Sequence, residues 1–346
     1  MGKMKILSIG AGAIGTYIGG SLALAGNSLV FLEKPETAQA IQILKLTYQG
    51  KTSTVTHPVF ATSIEEALSF GPFDIALFAL KSFDTDSAMR NFEPFANRLP
   101  PFLCLQNGVD NETKIAKVLG KDKVIHGTVT SAIGKLGPGE IILEKFRGIG
   151  ISSKHPISVK VQQSFNQANL NAELFSQPEA MKWSKMLTNL VSNASSAILA
   201  LPPAEIFSNP KLFNIELAQL KETITVMNAL GIPVVDLPGT PVRLLAFAIK
   251  SIPPILARPL LKKAVVGGRG EKMPSFYIDM QSGRPNSEVE YLNGAVSRWG
   301  EKKSIPTPAN TFLTKTLLGM VNGQIPKEKY YNNPEIFTRD FLNTID

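Results

Sequence analysis

The chain has little cysteine and histidine and no long uninterrupted apolar run. Its 346 residues contain one cysteine, Cys104, so an internal disulfide is excluded. The only histidines, His57, His126 and His155, share no metal-ligand spacing with one another or with Cys104, and we expect no metal. No stretch reaches the roughly 18 to 20 apolar residues of a membrane span. The N-terminal apolar segment is broken by glycines and does not resemble a secretory signal.

The remaining composition is that of a globular enzyme. The hydrophobic fraction is 44% and the charged fraction 18%, whereas a disordered chain has fewer apolar residues and more charge. A chain of this length is expected to form two domains. The net charge is +8, yet no basic run or aromatic–basic interleaving indicates nucleic acid, and an anionic cofactor and substrate explain the charge equally well. The single cysteine fits a reducing compartment, so we expect a cytoplasmic location.

A glycine-rich loop follows the first predicted strand. The sequence GAGAIG at 10–15 lies between a strand at 5–9 and a helical run to about Ala25, and a second strand follows at 28–32. This order is typical of a dinucleotide-binding unit, in which the glycines permit a tight turn, a close approach of the pyrophosphate and close packing of the helix. The N–H groups at the helix N-terminus then face the phosphates. We therefore expect cofactor contacts from Gly10, Gly12, Ala13, Ile14 and Gly15.

The end of the second strand carries two opposite signals for cofactor choice. Glu33 is suited to accept hydrogen bonds from a ribose 2′-hydroxyl, which favours NAD(H). Lys34 is suited to pair with a 2′-phosphate, which favours NADP(H). From the residues alone, both cofactors stay open, as does a solvated pair of loop charges.

Two further buried strands are predicted, at 73–80 and 101–105. The first ends at Lys81 and the second is followed by Asn107. Ligands of open α/β sheets lie at the carboxyl ends of the strands, so we expect Lys81 and Asn107 near the cofactor. A β-rich edge near residue 175 completes a Rossmann domain at 1–177.

The pattern changes to long helical periods in the second domain, 178–346. We expect one helix from Lys182 to Ala200, on which Lys185, Asn189 and Asn193 follow at intervals of four. They drift only about 80° around the helix and form one polar stripe. Asparagine is a poor helix former, which favours a lined site over a solvated face.

A second group of polar residues lies near the C-terminus. Gly283 and Pro285 interrupt the chain before Ser287, which we expect to cap a helix together with Glu290. Glu288 then takes the first helical position, where the helix dipole keeps a carboxylate ionised.

At this point the sequence resembles the ketopantoate reductase (2-dehydropantoate 2-reductase) family over nearly its whole length. The motifs that carry the resemblance are GAGAIG at 10–15, Leu80-Lys81, QNG at 106–108, HGT at 126–128, WSKMLTN at 183–189 with Asn193, Pro274-Ser275 and SEVEYLNG at 287–294. The resemblance implies a Rossmann domain followed by an all-helical domain, and NADPH-dependent reduction of ketopantoate to pantoate on the route to coenzyme A.

The resemblance also implies residue roles. Lys185 takes the role of the catalytic lysine and Glu288 that of the glutamate. Asn107 contacts the nicotinamide ribose and the substrate, and Lys34 stands where an arginine commonly binds the 2′-phosphate, so NADP(H) is predicted. Glu33 departs from the family pattern. The residues implied to hold the substrate are Asn107, Asn189, Asn193 and Ser275.

A second departure is the apolar, proline-broken stretch 237–270. It carries basic residues and no acidic residue before Glu271. A homodimer contact, a lid, a patch for an anionic surface and an ordinary helical hairpin all stay open, and the hairpin is favoured. Its basic residues are Arg243, Lys250, Arg258, Lys262, Lys263 and Arg269.

The predicted reaction is hydride transfer from NAD(P)H to the keto carbon of a 2-oxo acid, with Lys185 stabilising the oxygen and delivering the proton. Reduction of another branched 2-oxo acid and a non-catalytic NAD(P)H sensor are the alternatives, and intact Lys185 and Glu288 argue against the sensor. We expect a small-molecule partner, and neither nucleic acid nor a membrane.

Overall fold

The computed structural model describes residues 2–269 and 272–344. Gly270, which ends the basic apolar stretch, and Glu271, which follows it, lie outside the described residues, as does the side chain of Arg269. The chain forms two compact units. Unit 1 comprises Met1–Lys182 and Leu237–Thr240, and unit 2 comprises Trp183–Asp236 and Pro241–Asp346.

Unit 1 is built around two sheets. Its strands are β1 (Lys5–Ile9), β2 (Ser28–Leu32), β3 (Leu44–Tyr48), β4 (Lys51–Val55), β5 (Val59–Ala61), β6 (Ile75–Phe78), β7 (Phe102–Cys104), β8 (Val124–Val129), β9 (Ala132–Gly137), β10 (Glu140–Lys145), β11 (Ile149–Ser152) and β12 (Ala172–Phe175). The larger sheet has the order β12-β11-β8-β7-β6-β1-β2-β5, and the smaller has the order β4-β3-β10-β9.

Six neighbouring strands of the larger sheet are parallel, in the order β8-β7-β6-β1-β2-β5. Counted along the chain, they follow the order 3-2-1-4-5-6 from the β5 edge, which is the Rossmann arrangement. The order reverses between β1 and β6, and ligands of such sheets bind outside the carboxyl ends of the strands at that point. Strand β11 runs antiparallel to β8 and completes the predicted β-rich edge together with β12.

Helices cover both faces of this sheet because its strands are apolar on both sides. Ile6 of β1 belongs to a buried cluster with Ile18 and Leu22, whereas its neighbour Leu7 belongs to a second cluster with Phe92. The alternation follows from the two-residue period of a strand. The helices of unit 1 are α1 (Ala13–Leu24), α2 (Pro35–Ala40), α3 (Ile64–Ser69), α4 (Thr85–Phe92), α5 (Asn111–Leu119) and α6 (Ser158–Gln167).

The described part of unit 2 is helical and contains no strand. Helix α7 (Pro178–Leu190) begins in unit 1 and continues into unit 2. The other helices are α8 (Asn193–Leu199), α9 (Pro203–Ser208), α10 (Pro210–Ala229), α11 (Val242–Ser251), α12 (Pro254–Arg269), α13 (Ser275–Gln281), α14 (Asn293–Lys302), α15 (Pro308–Val321) and α16 (Pro334–Leu342). The predicted fold class, a Rossmann domain followed by an all-helical one, is therefore confirmed.

The prediction of a single helix from Lys182 to Ala200 is wrong. The chain breaks between α7 and α8, because Ser192 adopts a left-handed conformation with a φ of 54°. Its N–H donates to the buried Glu216 carboxylate of α10 at 2.8 Å, which supports the break. Asn193 consequently begins a new helix, and it does not continue the polar stripe of Lys185 and Asn189.

Candidate active site

The glycine loop of unit 1 has the geometry of a phosphate-binding turn. Gly10 adopts a positive φ of 95°, and a side chain at Gly15 would overlap the carbonyl oxygen of Gly10. A Cβ at Gly12, by contrast, would meet no atom within 4 Å. Gly12 caps α1, and the N–H groups of its first turn, which includes Ala13 and Ile14, have no acceptor inside the helix. The loop thus combines close packing at Gly10 and Gly15 with open space at Gly12.

Glu33 faces this loop. Its Oε1 accepts a hydrogen bond from the Ala11 N–H at 2.5 Å, and its Oε2 accepts one from the Lys34 N–H at 3.1 Å. Lys34 precedes the first residue of α2, and its side chain is exposed. The carboxylate therefore lies beside the glycine loop, and the ammonium is solvated.

The carboxyl ends of β6 and β7 lie at one edge of the sheet because the two strands are parallel. Gln106 joins them, since its Nε2 donates to the Lys81 carbonyl at 3.0 Å. The Asn107 carbonyl accepts from Ser82 Oγ at 2.9 Å and from Asn111 Nδ2 at 2.7 Å. The structure thus brings Lys81 and Asn107 to neighbouring loops of this edge. Ser82 and Asn111, which support these loops, were missed by sequence reasoning.

A buried ion pair lies below these loops. Lys182 Nζ is 2.8 Å from Glu112 Oε1, and each side chain is only 3% exposed. The ammonium also donates to the Gln106 carbonyl at 2.7 Å and to the Gly127 carbonyl at 3.2 Å. Burial lowers the pKa of Lys182, but the Glu112 carboxylate and the neighbouring Cys104 together outweigh burial, so the pKa is raised and the lysine stays charged. The pair ties the first turns of α7 to the residue preceding Asn107.

No sequence signal identified this pair. Glu112 and Lys182 are 70 positions apart, and each lies in an ordinary helical pattern. Only the folded sheet brings α5 and α7 together at the ends of β7 and β8.

In unit 2, Lys185 and Asn189 form the predicted polar pair on α7. Lys185 Nζ donates to Asn189 Oδ1 at 2.8 Å, as the spacing of one helical turn allows. Both side chains are partly exposed. The amide oxygen holds the ammonium in one orientation on the helix surface.

Asn193 links α8 to α13. Its Oδ1 accepts from the Phe276 N–H at 3.1 Å, and its Nδ2 donates to Ser275 Oγ at 3.3 Å. Asn193 itself is buried, whereas Ser275 is exposed at the first residue of α13. In this arrangement Asn193 positions Ser275, and the hydroxyl is the more accessible of the two groups.

Glu288 begins a short 3₁₀ helix, Glu288–Tyr291. Ser287 caps it as predicted, but the predicted α-helix with a Ser287–Glu290 capping box is wrong, because the segment is a 3₁₀ helix and Ser287 Oγ accepts from the Val289 N–H at 3.2 Å. The Glu290 side chain is exposed, whereas Glu288 is 3% exposed.

Among the described residues, no group of three or more His, Cys, Asp or Glu side chains could hold a metal ion. In the same part of the chain, no helix has both the length and the apolar character needed to cross a bilayer.

A Rossmann sheet with this glycine loop, followed by a helical unit that carries Lys185 and Glu288, defines a nicotinamide-dependent oxidoreductase. The family comparison makes the class specific. A model described as "Ketopantoate reductase PanE/ApbA" matches residues 6–153, and its C-terminal counterpart matches residues 178–321. The chain belongs to the ketopantoate reductase family.

Individual relatives are similar over most of their length. A 2-dehydropantoate 2-reductase of Pyrococcus horikoshii is 26% identical over 90% of this chain and 95% of the relative. The crystal structure of a PanE/ApbA family ketopantoate reductase from Ralstonia eutropha JMP134 matches with a TM-score of 0.77 at 26% identity, covering 93% of this chain and 99% of that one. D-mandelate dehydrogenase, solved with NADH and anilino(oxo)acetate, matches with a TM-score of 0.75 over 92% and 99% of the two chains. At 22% identity, that last similarity concerns the fold.

Proposed function

We propose that this chain reduces 2-dehydropantoate (ketopantoate) to pantoate with a nicotinamide cofactor. The observation that carries the proposal is the Lys185 ammonium, held by Asn189 in a chain whose other unit carries the glycine loop. Both units match the reductase family, and the relatives from Pyrococcus horikoshii and Ralstonia eutropha carry the reductase activity in their names. We place the reaction in the cytoplasm, on the route to coenzyme A.

The glycine loop fits the proposed cofactor. The open space at Gly12 is where a pyrophosphate would lie, because a Cβ there would meet no protein atom. Gly10, Gly12, Ala13, Ile14 and Gly15 would hold it through backbone N–H groups and the positive end of α1. Lys81 and Asn107, at the carboxyl edge of the sheet, would hold the nicotinamide half.

The reaction needs a hydride, a proton and stabilisation of the keto oxygen. When bound, the reduced nicotinamide supplies the hydride to the keto carbon. Lys185 donates a hydrogen bond to the keto oxygen, stabilises its developing negative charge and delivers the proton. Asn189 keeps the ammonium oriented.

The remaining residues of unit 2 orient the substrate. Ser275 offers an exposed hydroxyl to the substrate, and Asn193 positions that hydroxyl through a hydrogen bond. Glu288 and Asn189 offer acceptors for the substrate hydroxyl.

We infer that NADH is preferred, in contrast to the NADP(H) predicted through Lys34. The Glu33 carboxylate lies beside the glycine loop, where it would accept hydrogen bonds from the ribose hydroxyls. A 2′-phosphate at the same place would be repelled. The exposed Lys34 offsets little of this repulsion, because exposed ion pairs contribute only about 0 to 1 kcal/mol.

The proposal is tested by measuring the turnover of a panel of branched 2-oxo acids with NADH and with NADPH. Turnover is monitored by nicotinamide absorbance. The proposal predicts the highest kcat/KM for ketopantoate with NADH. A higher kcat/KM for another 2-oxo acid would identify the chain as a reductase of that acid on the same scaffold. Tight cofactor binding without oxidation by any acid would identify a sensor.

A further inference from the structure

Helices α11 and α12 of unit 2 expose an unusual number of large apolar side chains. Five of them are between 56% and 84% exposed, and they are separated by at most 16 positions. We refer to these five residues as the basic apolar face, because the stretch of chain that carries them is basic. Isolated exposed apolar residues are common, but a group of this kind on adjacent elements marks an interaction surface. The five residues are Leu244, Phe247, Ile255, Leu256 and Leu260.

The exposure does not result from poor packing of the two helices. Val242 and Ile249 of α11 are fully buried, as is Ala257 of α12, and Leu261 is buried one turn later. Each helix therefore has one face in the core of unit 2 and a second apolar face directed to solvent. The second face contributes nothing to the core, so another partner must account for its composition.

The charges within this stretch of the sequence are all of one sign. From Leu237 to Arg269 the sequence contains no Asp or Glu. Arg243 and Lys250 are exposed on α11, and Lys262 and Lys263 are exposed on α12. Arg243 forms an ion pair at 2.9 Å with Asp236, which lies just outside the stretch. The natural complement of such a face is both apolar and anionic.

We propose that the basic apolar face docks on an anionic lipid surface. Leu, Ile and Phe side chains enter the boundary between headgroups and acyl chains, and the lysines, on long apolar stems, contact the lipid phosphates. A second copy of the chain would bring the same excess of positive charge to the contact, so it is a poorer electrostatic complement than an anionic surface. The proposal reverses the expectation that no membrane partner exists, and it does not depend on the proposed activity.

The proposal is tested by sedimentation of the full chain with vesicles. Binding to mixed phosphatidylcholine–phosphatidylglycerol vesicles is expected, with little binding to pure phosphatidylcholine and with loss of binding at high salt. Lys262→Gln and Lys263→Gln are each expected to weaken binding about fivefold. Leu244→Ser and Phe247→Ser are each expected to weaken it about tenfold.

Leu136→Ser is the matched control. Leu136 in β9 of unit 1 is 64% exposed, against 65% for Leu244, but it lies outside the basic apolar face. It should leave vesicle binding unchanged, and all variants should keep the thermal unfolding temperature of the wild type.

Three results would overturn the proposal. The first is absence of binding to the anionic vesicles, and the second is equal weakening by Leu136→Ser and Leu244→Ser. The third is a concentration-dependent dimer in light scattering that Leu256→Ser and Leu260→Ser dissociate, which would assign the face to self-association.

Discussion

The two units differ in how their proposed ligand sites are built. In unit 1, the glycine loop provides backbone N–H groups and open space, and it does so through the conformations of Gly10, Gly12 and Gly15. In unit 2, the proposed site consists of side chains, with Lys185 oriented by Asn189 and Ser275 by Asn193. A backbone site is damaged by adding atoms, whereas a side-chain site is damaged by removing them.

This contrast explains which parts of the molecule could be predicted from the sequence. The glycine loop, β1, α1 and β2 were predicted closely, because a local pattern of glycines and apolar residues determines a local backbone structure. The cap at Ser287 was predicted for the same reason. Local pattern is sufficient wherever the interacting groups are near in sequence.

Features that depend on distant contacts could not be predicted. The break after α7 depends on the bond from Ser192 to Glu216, 24 positions away. The link from Asn193 to Ser275 spans 82 positions, and the Lys182–Glu112 pair joins two elements with no shared pattern. Helical periodicity alone therefore predicted one continuous helix where the structure has the two helices α7 and α8.

The largest expected effect concerns Lys185. Lys185→Ala should lower kcat about 10² to 10⁴-fold, because the variant loses both the proton donor and the charge that stabilises the oxygen. Cofactor affinity, measured by nicotinamide fluorescence titration, should stay unchanged because the glycine loop belongs to unit 1. Lys221→Ala, an exposed lysine of α10, is the control and should keep full activity. A near-normal kcat for Lys185→Ala would remove the assigned role.

The Lys182–Glu112 pair tests how far the contrast between a backbone site in unit 1 and a side-chain site in unit 2 extends. The pair belongs to unit 1, yet it is formed by side chains. Lys182→Met should destabilise the protein by about 3 to 5 kcal/mol, since it leaves the Glu112 carboxylate buried without its partner. The double variant Lys182→Met/Glu112→Met should recover part of this loss in urea unfolding. A double variant no more stable than the single one would show that the buried charge is not the cause.

Gly12 and Gly15 form a matched pair in the backbone site. Gly12→Val should weaken NAD(P)H binding about tenfold to a hundredfold, because its side chain would occupy the space that the bound pyrophosphate fills. The unfolding temperature should not change, since no protein atom lies there. Gly15→Val should instead lower the unfolding temperature, because its side chain meets the Gly10 carbonyl in the protein itself. Unchanged cofactor affinity in the folded Gly12→Val variant would contradict the placement of the pyrophosphate.

The smallest effect is expected at Glu33. Glu33→Gln removes the negative charge beside the loop and should raise kcat/KM with NADPH about fivefold relative to NADH. Glu36→Gln, an exposed acidic residue in the first turn of α2, should leave the ratio unchanged. If Lys34→Ala abolishes NADPH use and Glu33→Gln has no effect, Lys34 determines the choice and NADP(H) is the cofactor.

The central claim, that nicotinamide bound to unit 1 reduces ketopantoate with the help of Lys185, is tested most directly by isotope transfer. The enzyme is incubated with ketopantoate and nicotinamide cofactor carrying deuterium on the transferred C4 position, and the product is analysed by mass spectrometry. The account predicts pantoate with one deuterium on the former keto carbon, and almost none formed by Lys185→Ala in the same time. Pantoate without deuterium, or no product although the cofactor is bound, would contradict it.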